Sequence, residues 1–182
     1  MTHHKSIYNA PAKQRIKFLL TGAETGGELL EMESTYEAHS KEPAAHYHPK
    51  QAEDFIVLSG ELTVRMDGRL KVFKTGDRLH IPANKVHSMW NNSKRPTVVN
   101  WKVRPALHTE YFLETITGVI NDGMLRKTRR PSVLKTALTL SSYTHVFRLA
   151  GPPFSLQKAA FWLAETYAWL TGYQPVQEEY AD

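Results

Sequence analysis

The chain has 182 residues, 41% hydrophobic and 23% charged, the balance of a globular protein with enough length for one domain and an appendage. It has no cysteine, which excludes disulfides, iron–sulfur clusters, cysteine-built zinc fingers and thiol catalysis. The net charge of +5 includes one dense basic run, Arg126-Lys127-Thr128-Arg129-Arg130, which comes with no recognition-helix or RNA-binding pattern. That run reads as a solvated flank, and no nucleic-acid partner is expected.

Met1-Thr2-His3-His4-Lys5 opens no apolar stretch, so no secretory leader is expected and the cytoplasm is the expected location. Residues 14–104 then read as short strands separated by turns. Ile16, Phe18 and Leu20 alternate with their neighbours before the turn 21–27, and Leu30 and Met32 alternate with Glu31 and Glu33. Phe55 to Leu58 runs up to Ser59-Gly60. Leu62, Val64 and Met66 lead to Asp67-Gly68, and Leu70, Val72 and Phe73 lead to Thr75-Gly76-Asp77. Val99, Trp101 and Val103 form the last strand. Strands this short and this closely spaced indicate a sandwich or barrel.

The pattern changes at Arg104-Pro105. His108 to Ile116 has helical spacing with Thr109 as N-cap, and Asn121-Asp122-Gly123 reads as a turn. Pro131 to Leu149 reads as a second helix, with Pro131 at its first position and Val133, Leu134, Ala137, Leu138 and Leu140 on an apolar face. A third helix runs from a Ser155 cap to about Thr171 and stops at Gly172. Leu156, Ala160, Leu163, Tyr167 and Leu170 form a stripe on it, widened by Phe161, Trp162, Ala168 and Trp169. The stripe is expected to pack against the barrel or a partner subunit; a membrane-surface anchor formed with the basic run is the lesser reading. The expected division is residues 1–105 as the barrel and 106–182 as the helical extension.

Four residues carry metal chemistry: His46, His48, Glu53 and His87. Histidines two apart on a strand share a face. Glu53 lies an odd step beyond His48, and Pro49-Lys50-Gln51 can break the strand and restore its direction. Three imidazoles and a carboxylate suit Fe(II), Mn(II), Ni(II), Co(II) or Zn(II), and leave positions open for water or substrate. Around them, Phe55, Val57, Met89 and Trp101 are candidates for an apolar pocket wall, and Asn91 and Asn100 for orienting a polar group.

The stretch from His46 through His48 and Glu53 to Gly60 resembles the first cupin motif: HxH, four residues, Glu, six residues, Gly. Gly76, Pro82, His87 and Asn91 resemble the second. One position departs, since Asn84 stands where the family usually has Gly; Asn is tolerant of a left-handed turn. The resemblance implies a double-stranded β-helix, the cupin jelly-roll barrel, here mainly β with a C-terminal α-helical extension. It also implies that the four ligand positions converge in the barrel on one divalent transition metal, and a homodimer.

For function, it implies a metalloenzyme acting on a small molecule. One form is dioxygenase-like, resembling the quercetinase-like or cysteine-dioxygenase-like cupins; the other is isomerase- or decarboxylase-like, with the metal as Lewis acid. Glu53 is a ligand able to accept a proton transiently, and no separate acid or base stands out. The alternative is a non-catalytic ligand-binding or sensor cupin, and fold does not choose between them.

Overall fold

The computed structural model describes residues 5–125 and 132–173. The strands are β1 (Ser6–Asn9), β2 (Gln14–Leu20), β3 (Leu30–Tyr36), β4 (His46–Tyr47), β5 (Ala52–Ser59), β6 (Glu61–Met66), β7 (Arg69–Lys74), β8 (Arg78–Ile81), β9 (His87–Trp90) and β10 (Thr97–Arg104). Helices α1 (Thr109–Leu125) and α2 (Val133–Ser142) follow, then β11 (Arg148–Leu149) and α3 (Phe154–Thr171).

Two antiparallel sheets face each other. One has the order β1-β2-β3-β10-β5-β8 and the other β11-β4-β9-β6-β7. In β3 the residues Leu30, Met32, Ser34 and Tyr36 are buried, and in β10 Thr97, Val99, Trp101 and Val103 are, so both strands alternate as the pleat requires. These inward faces enclose one core that also takes in Phe18, Phe55, Leu62, Val64 and Ile81. At the β5–β6 corner Gly60 has φ +82°, and a Cβ there would lie 2.6 Å from the Pro96 carbonyl oxygen. Only glycine meets both conditions without displacement.

The region after residue 105 differs from the sequence reading in four places. Asn121-Asp122-Gly123 is helical, because α1 runs on to Leu125 against β1. Asn121 Oδ1 accepts from the Ala10 N–H at 3.1 Å and its Nδ2 donates to the Tyr8 carbonyl at 2.7 Å, so the residue serves a strand edge and not a turn. The second helix is shorter than expected. Ser132 caps it, its hydroxyl accepting from the Lys135 N–H, and it ends at Ser142, after which the chain extends as β11. Pro131 and the basic run 126–130 lie outside the described residues.

The third helix begins at Phe154 without a side-chain cap, so Ser155 does not cap it; Gly172, with φ 65°, closes it. Its stripe does not pack on the barrel within this chain. Leu156, Trp162, Leu163, Tyr167, Trp169 and Leu170 are exposed, while Ala168 and Gln157 are buried as the helix leans on α2. No helix among the described residues is long and apolar enough to cross a membrane.

Candidate metal centre

Strand β4 is two residues long and lies between β9 and β11. His46 pairs directly with His87 of β9, which puts their rings 4.5 Å apart between centroids. His48 follows the end of β4, with its ring 5.3 Å from that of His46 and 5.4 Å from that of His87. The chain then crosses to the other sheet, where Glu53 enters on β5 between Val103 of β10 and Ile81 of β8. The bend at Pro49-Lys50 breaks the strand as expected, and with this change of sheet it overcomes the odd spacing and aims the Glu53 carboxylate back at the histidines.

Asn84 ties the two segments together. Its φ of 65° is the left-handed turn, its N–H donates to the His48 carbonyl at 2.8 Å, and its side-chain amide donates to that of Pro49 at 3.2 Å.

All three imidazoles are oriented by backbone carbonyls. His46 Nδ1 lies 2.9 Å from the Ala44 oxygen, His87 Nδ1 2.9 Å from that of Lys85, and His48 Nδ1 2.8 Å from that of Val146. A carbonyl only accepts, so each Nδ1 carries the proton and each Nε2 presents a lone pair. Donor nitrogens of the three rings lie within 4.8 Å of one another. His48 Nε2, His87 Nε2 and Glu53 Oε2 are buried with no hydrogen-bond partner. Buried polar atoms are rarely left so, and three in one place fit a cation.

The carboxylate stands close by: Oε1 is 3.4 Å from His48 Nε2 and Oε2 is 3.0 Å from His87 Nε2, while Oε1 accepts from the Trp101 indole N–H at 3.0 Å. Burial opposes the charge on Glu53, but the surrounding imidazoles and the contact with His87 prevail and bring it down to about 2. It is therefore anionic at neutral pH. His46 is enclosed by protein atoms while part of its ring opens to a cavity; burial and the two neighbouring imidazoles hold it down to about 3, neutral and able to ligate. Burial lowers His87, and the contacts with Glu53 outweigh this and raise it.

The cavity beside these groups has a volume of about 170 Å³. Met89 and Trp101 line it, together with Ile16, Tyr36 and, from the C-terminal region, Phe112, Leu113, Ile116 and Phe147. Three expected pocket residues are placed elsewhere. Phe55 stacks on Trp101 at 5.7 Å and Val57 lies in the core. Asn91 is a buried brace, its amide donating to the carbonyls of Tyr36, Glu37 and Arg95. Asn100 is on the outer face, bonded to Glu31, and His80 is at the surface, bonded to Asp54.

What sequence reasoning missed is the segment Val146–Ala150. Strand β11 pairs Leu149 with His46 and Arg148 with Tyr47, and the Ala150 N–H donates to the Ala45 carbonyl at 2.8 Å. Phe147 stacks on His46 at 4.7 Å and on Phe112 at 4.9 Å, closing the cavity. No local signal marks it, since the run reads as the end of a helix. Gln51 was missed as well; its buried amide donates to the carbonyls of Pro105 and Ala106 and to the Thr109 hydroxyl, fixing the start of α1 over the barrel.

Residues 32–102 match the cupin domain family. Over 67 residues the chain is 39% identical to quercetin 2,3-dioxygenase of Bacillus subtilis, covering 37% of this chain and 20% of that protein. The chain thus spans about a fifth of the length of that curated relative. Among solved structures, a predicted oxalate decarboxylase from Thermotoga maritima superposes with a TM-score of 0.50 at 18% identity, over 56% of this chain and 91% of that one. An RmlC-like cupin from Shewanella frigidimarina gives 0.49 at 19% identity, over 59% and 89%. At such identities the likeness is one of fold, the double-stranded β-helix. The family match spans the strands that bear the three imidazoles and Glu53, so residues 32–102 carry a cupin domain.

Proposed function

We propose that this protein is a metal-dependent enzyme, dioxygenase-like in its chemistry, acting on a small and largely apolar molecule. His46, His48 and His87 hold one divalent ion of the Fe, Mn, Ni, Co or Zn group through Nε2, with Glu53 as the anionic fourth ligand. The observation that carries this is the three Nε2 lone pairs, oriented by fixed Nδ1 protons, with those of His48 and His87 buried and unpartnered beside a buried carboxylate at the end of an apolar cavity.

Such an ion, when bound, supplies open positions for substrate and oxygen, or Lewis acidity towards a carbonyl. The chain's own groups do the rest. Glu53 Oε2, 3.0 Å from His87 Nε2, is where a substrate proton is accepted transiently, while the Trp101 N–H fixes Oε1. The aromatic roof keeps bulk water from the reacting atoms. The apolar lining supports an oxygenase over a sugar isomerase, which needs polar groups for several hydroxyls. The local identity with a quercetin dioxygenase supports the same choice.

The barrel unit is read as ending at residue 105, with the extension sharing its second sheet, and the protein as working in the cytoplasm. A homodimer belongs to the reading, supported by the exposed apolar face of α3.

Elemental analysis of protein prepared under nitrogen, without chelators, tests the centre. About one ion per chain is expected, falling below a tenth in His46→Ala and His87→Ala, with oxygen uptake on enolic or phenolic substrates. Full occupancy in both variants sinks the assignment; metal and ligand bound without turnover makes the protein a binding module.

A further inference from the structure

We infer that the centre selects a compact ligand carrying one negative charge and an apolar body, and that Phe147 sets its size limit. This rests on the metal-centre reading above and goes further in naming the ligand class.

Charge is the first argument. A divalent ion next to ionised Glu53 leaves one uncompensated positive charge. Among the described residues no Lys, Arg or Asp lines the cavity, and its remaining polar side chains, Gln14, Tyr36 and Thr109, are uncharged. Burial pushes the Tyr36 phenol up, so it stays neutral, and the Thr109 hydroxyl already accepts from Gln51 at 2.6 Å. A ligand with a single negative charge neutralises this site. A second negative charge would be buried among Ile16, Phe112, Ile116 and Phe147 with no cation among the lining residues to answer it, a placement that desolvation disfavours. Phosphorylated ligands and dicarboxylates are disfavoured on this ground.

Size is the second. The cavity of about 170 Å³ is below the usual range for ligand pockets. A small chelating enolate or a short apolar acid fits; a multi-ring molecule does not.

The roof is the third. Phe147 lies with its ring between His46 and Phe112, stacked on both, and it arrives on the strand that pairs with β4. It therefore bounds the cavity directly above the proposed ligands. Removing its ring opens space without removing any donor atom from the centre.

The experiment uses the full chain loaded with Co(II), whose visible spectrum reports both loading and ligand entry. A first titration with Co(II) alone must saturate near one ion per chain; failure there overturns the metal-centre reading. On loaded protein, acetylacetone and malonate are then compared at pH 7.5. Both form six-membered oxygen chelates with the same number of heavy atoms, but the first binds with one negative charge after releasing a proton to solvent, and the second with two. Relative to their ratio on aqueous Co(II), acetylacetone should gain at least tenfold. A ratio unchanged or shifted towards malonate overturns the charge argument while leaving the metal centre standing.

For size, benzoylacetone should bind wild type at least tenfold more weakly than acetylacetone, and Phe147→Ala should recover that loss. Should Phe147→Ala fail to fold or to load cobalt, Ile116→Ala, on another part of the wall, is the control. Recovery in Ile116→Ala but not in a loaded Phe147→Ala, or equal binding of both diketones by wild type, overturns the role of Phe147.

Discussion

The three histidines differ in what holds them, although they meet at one point. His46 and His87 are steadied by carbonyls two residues away in their own segments, those of Ala44 and Lys85, whereas His48 depends on Val146, 98 residues distant. Glu53 depends on the Trp101 indole for the orientation of Oε1. Trp101→Phe keeps the ring but removes that donor, and metal affinity is expected to fall about tenfold, the lower end for losing an outer hydrogen bond; chelator competition measures it. Acid should act on metal-free protein through His46. Its folded value of about 3 is below the ordinary 6.5, so between these pH values the unfolded chain binds more protons than the folded one. The stability it contributes is complete above pH 6.5 and is lost as pH falls towards 3. His145, also lowered by burial, acts in the same direction, and Glu53 joins only below 4.5. His87, raised, loses its contribution as pH rises and leaves the acid window unchanged. Thermal melts of apoprotein between pH 7 and 5 should therefore fall, and His46→Asn should flatten the slope; a flat wild-type profile would refute this.

Among the elements, the shortest strands matter most to the centre. β4 and β11 have two residues each, and neither would persist without the pairing β11-β4-β9 that seats both on the second sheet. The buried Gln157 amide of α3 holds the following turn by donating to the Leu149 and Pro152 carbonyls, so β11 is anchored at its far end too. Ala150→Pro removes the N–H that donates to Ala45 and loosens this edge. The expected result is a ten- to hundredfold loss of zinc affinity with the barrel still folded, read by chelator competition beside circular dichroism. Unchanged affinity would mean that β11 rests on the site without supporting it. The helices answer to the same edge: α2 stops at Ser142 because the chain must extend to reach β4, which helical periodicity up to Leu149 concealed.

At the scale of the molecule, the centre bridges three parts: the imidazoles from the second sheet, the carboxylate from the first, and a carbonyl and an aromatic ring from beyond residue 105. Metal binding is thus expected to lock all three together. Zinc at a hundred times its Kd should raise unfolding stability by about 2.7 kcal/mol. Hydrogen exchange should slow at β4 and at residues 146–150 in the same titration; protection confined to the barrel would deny the bridge. Much of this architecture was legible in the sequence. Alternation at Leu30 and Met32 and at Val99, Trp101 and Val103 marked inward faces, since a pleated strand sends side chains to opposite sides every second residue. The spacing of His46, His48, Glu53 and His87, set within two motifs, pointed to a metal, because such donor sets are local in the chain. Which aromatic residues wall the cavity was not legible, as inward parity places Phe55 and Val57 beside Met89 and Trp101 without saying which lie against the core and which against the opening. Nor was the part played by Val146, Phe147 and Gln51. Their contacts span some fifty to a hundred residues, and only a folded chain, in which β11 finds the edge of β4, decides which distant carbonyl and which ring complete the site.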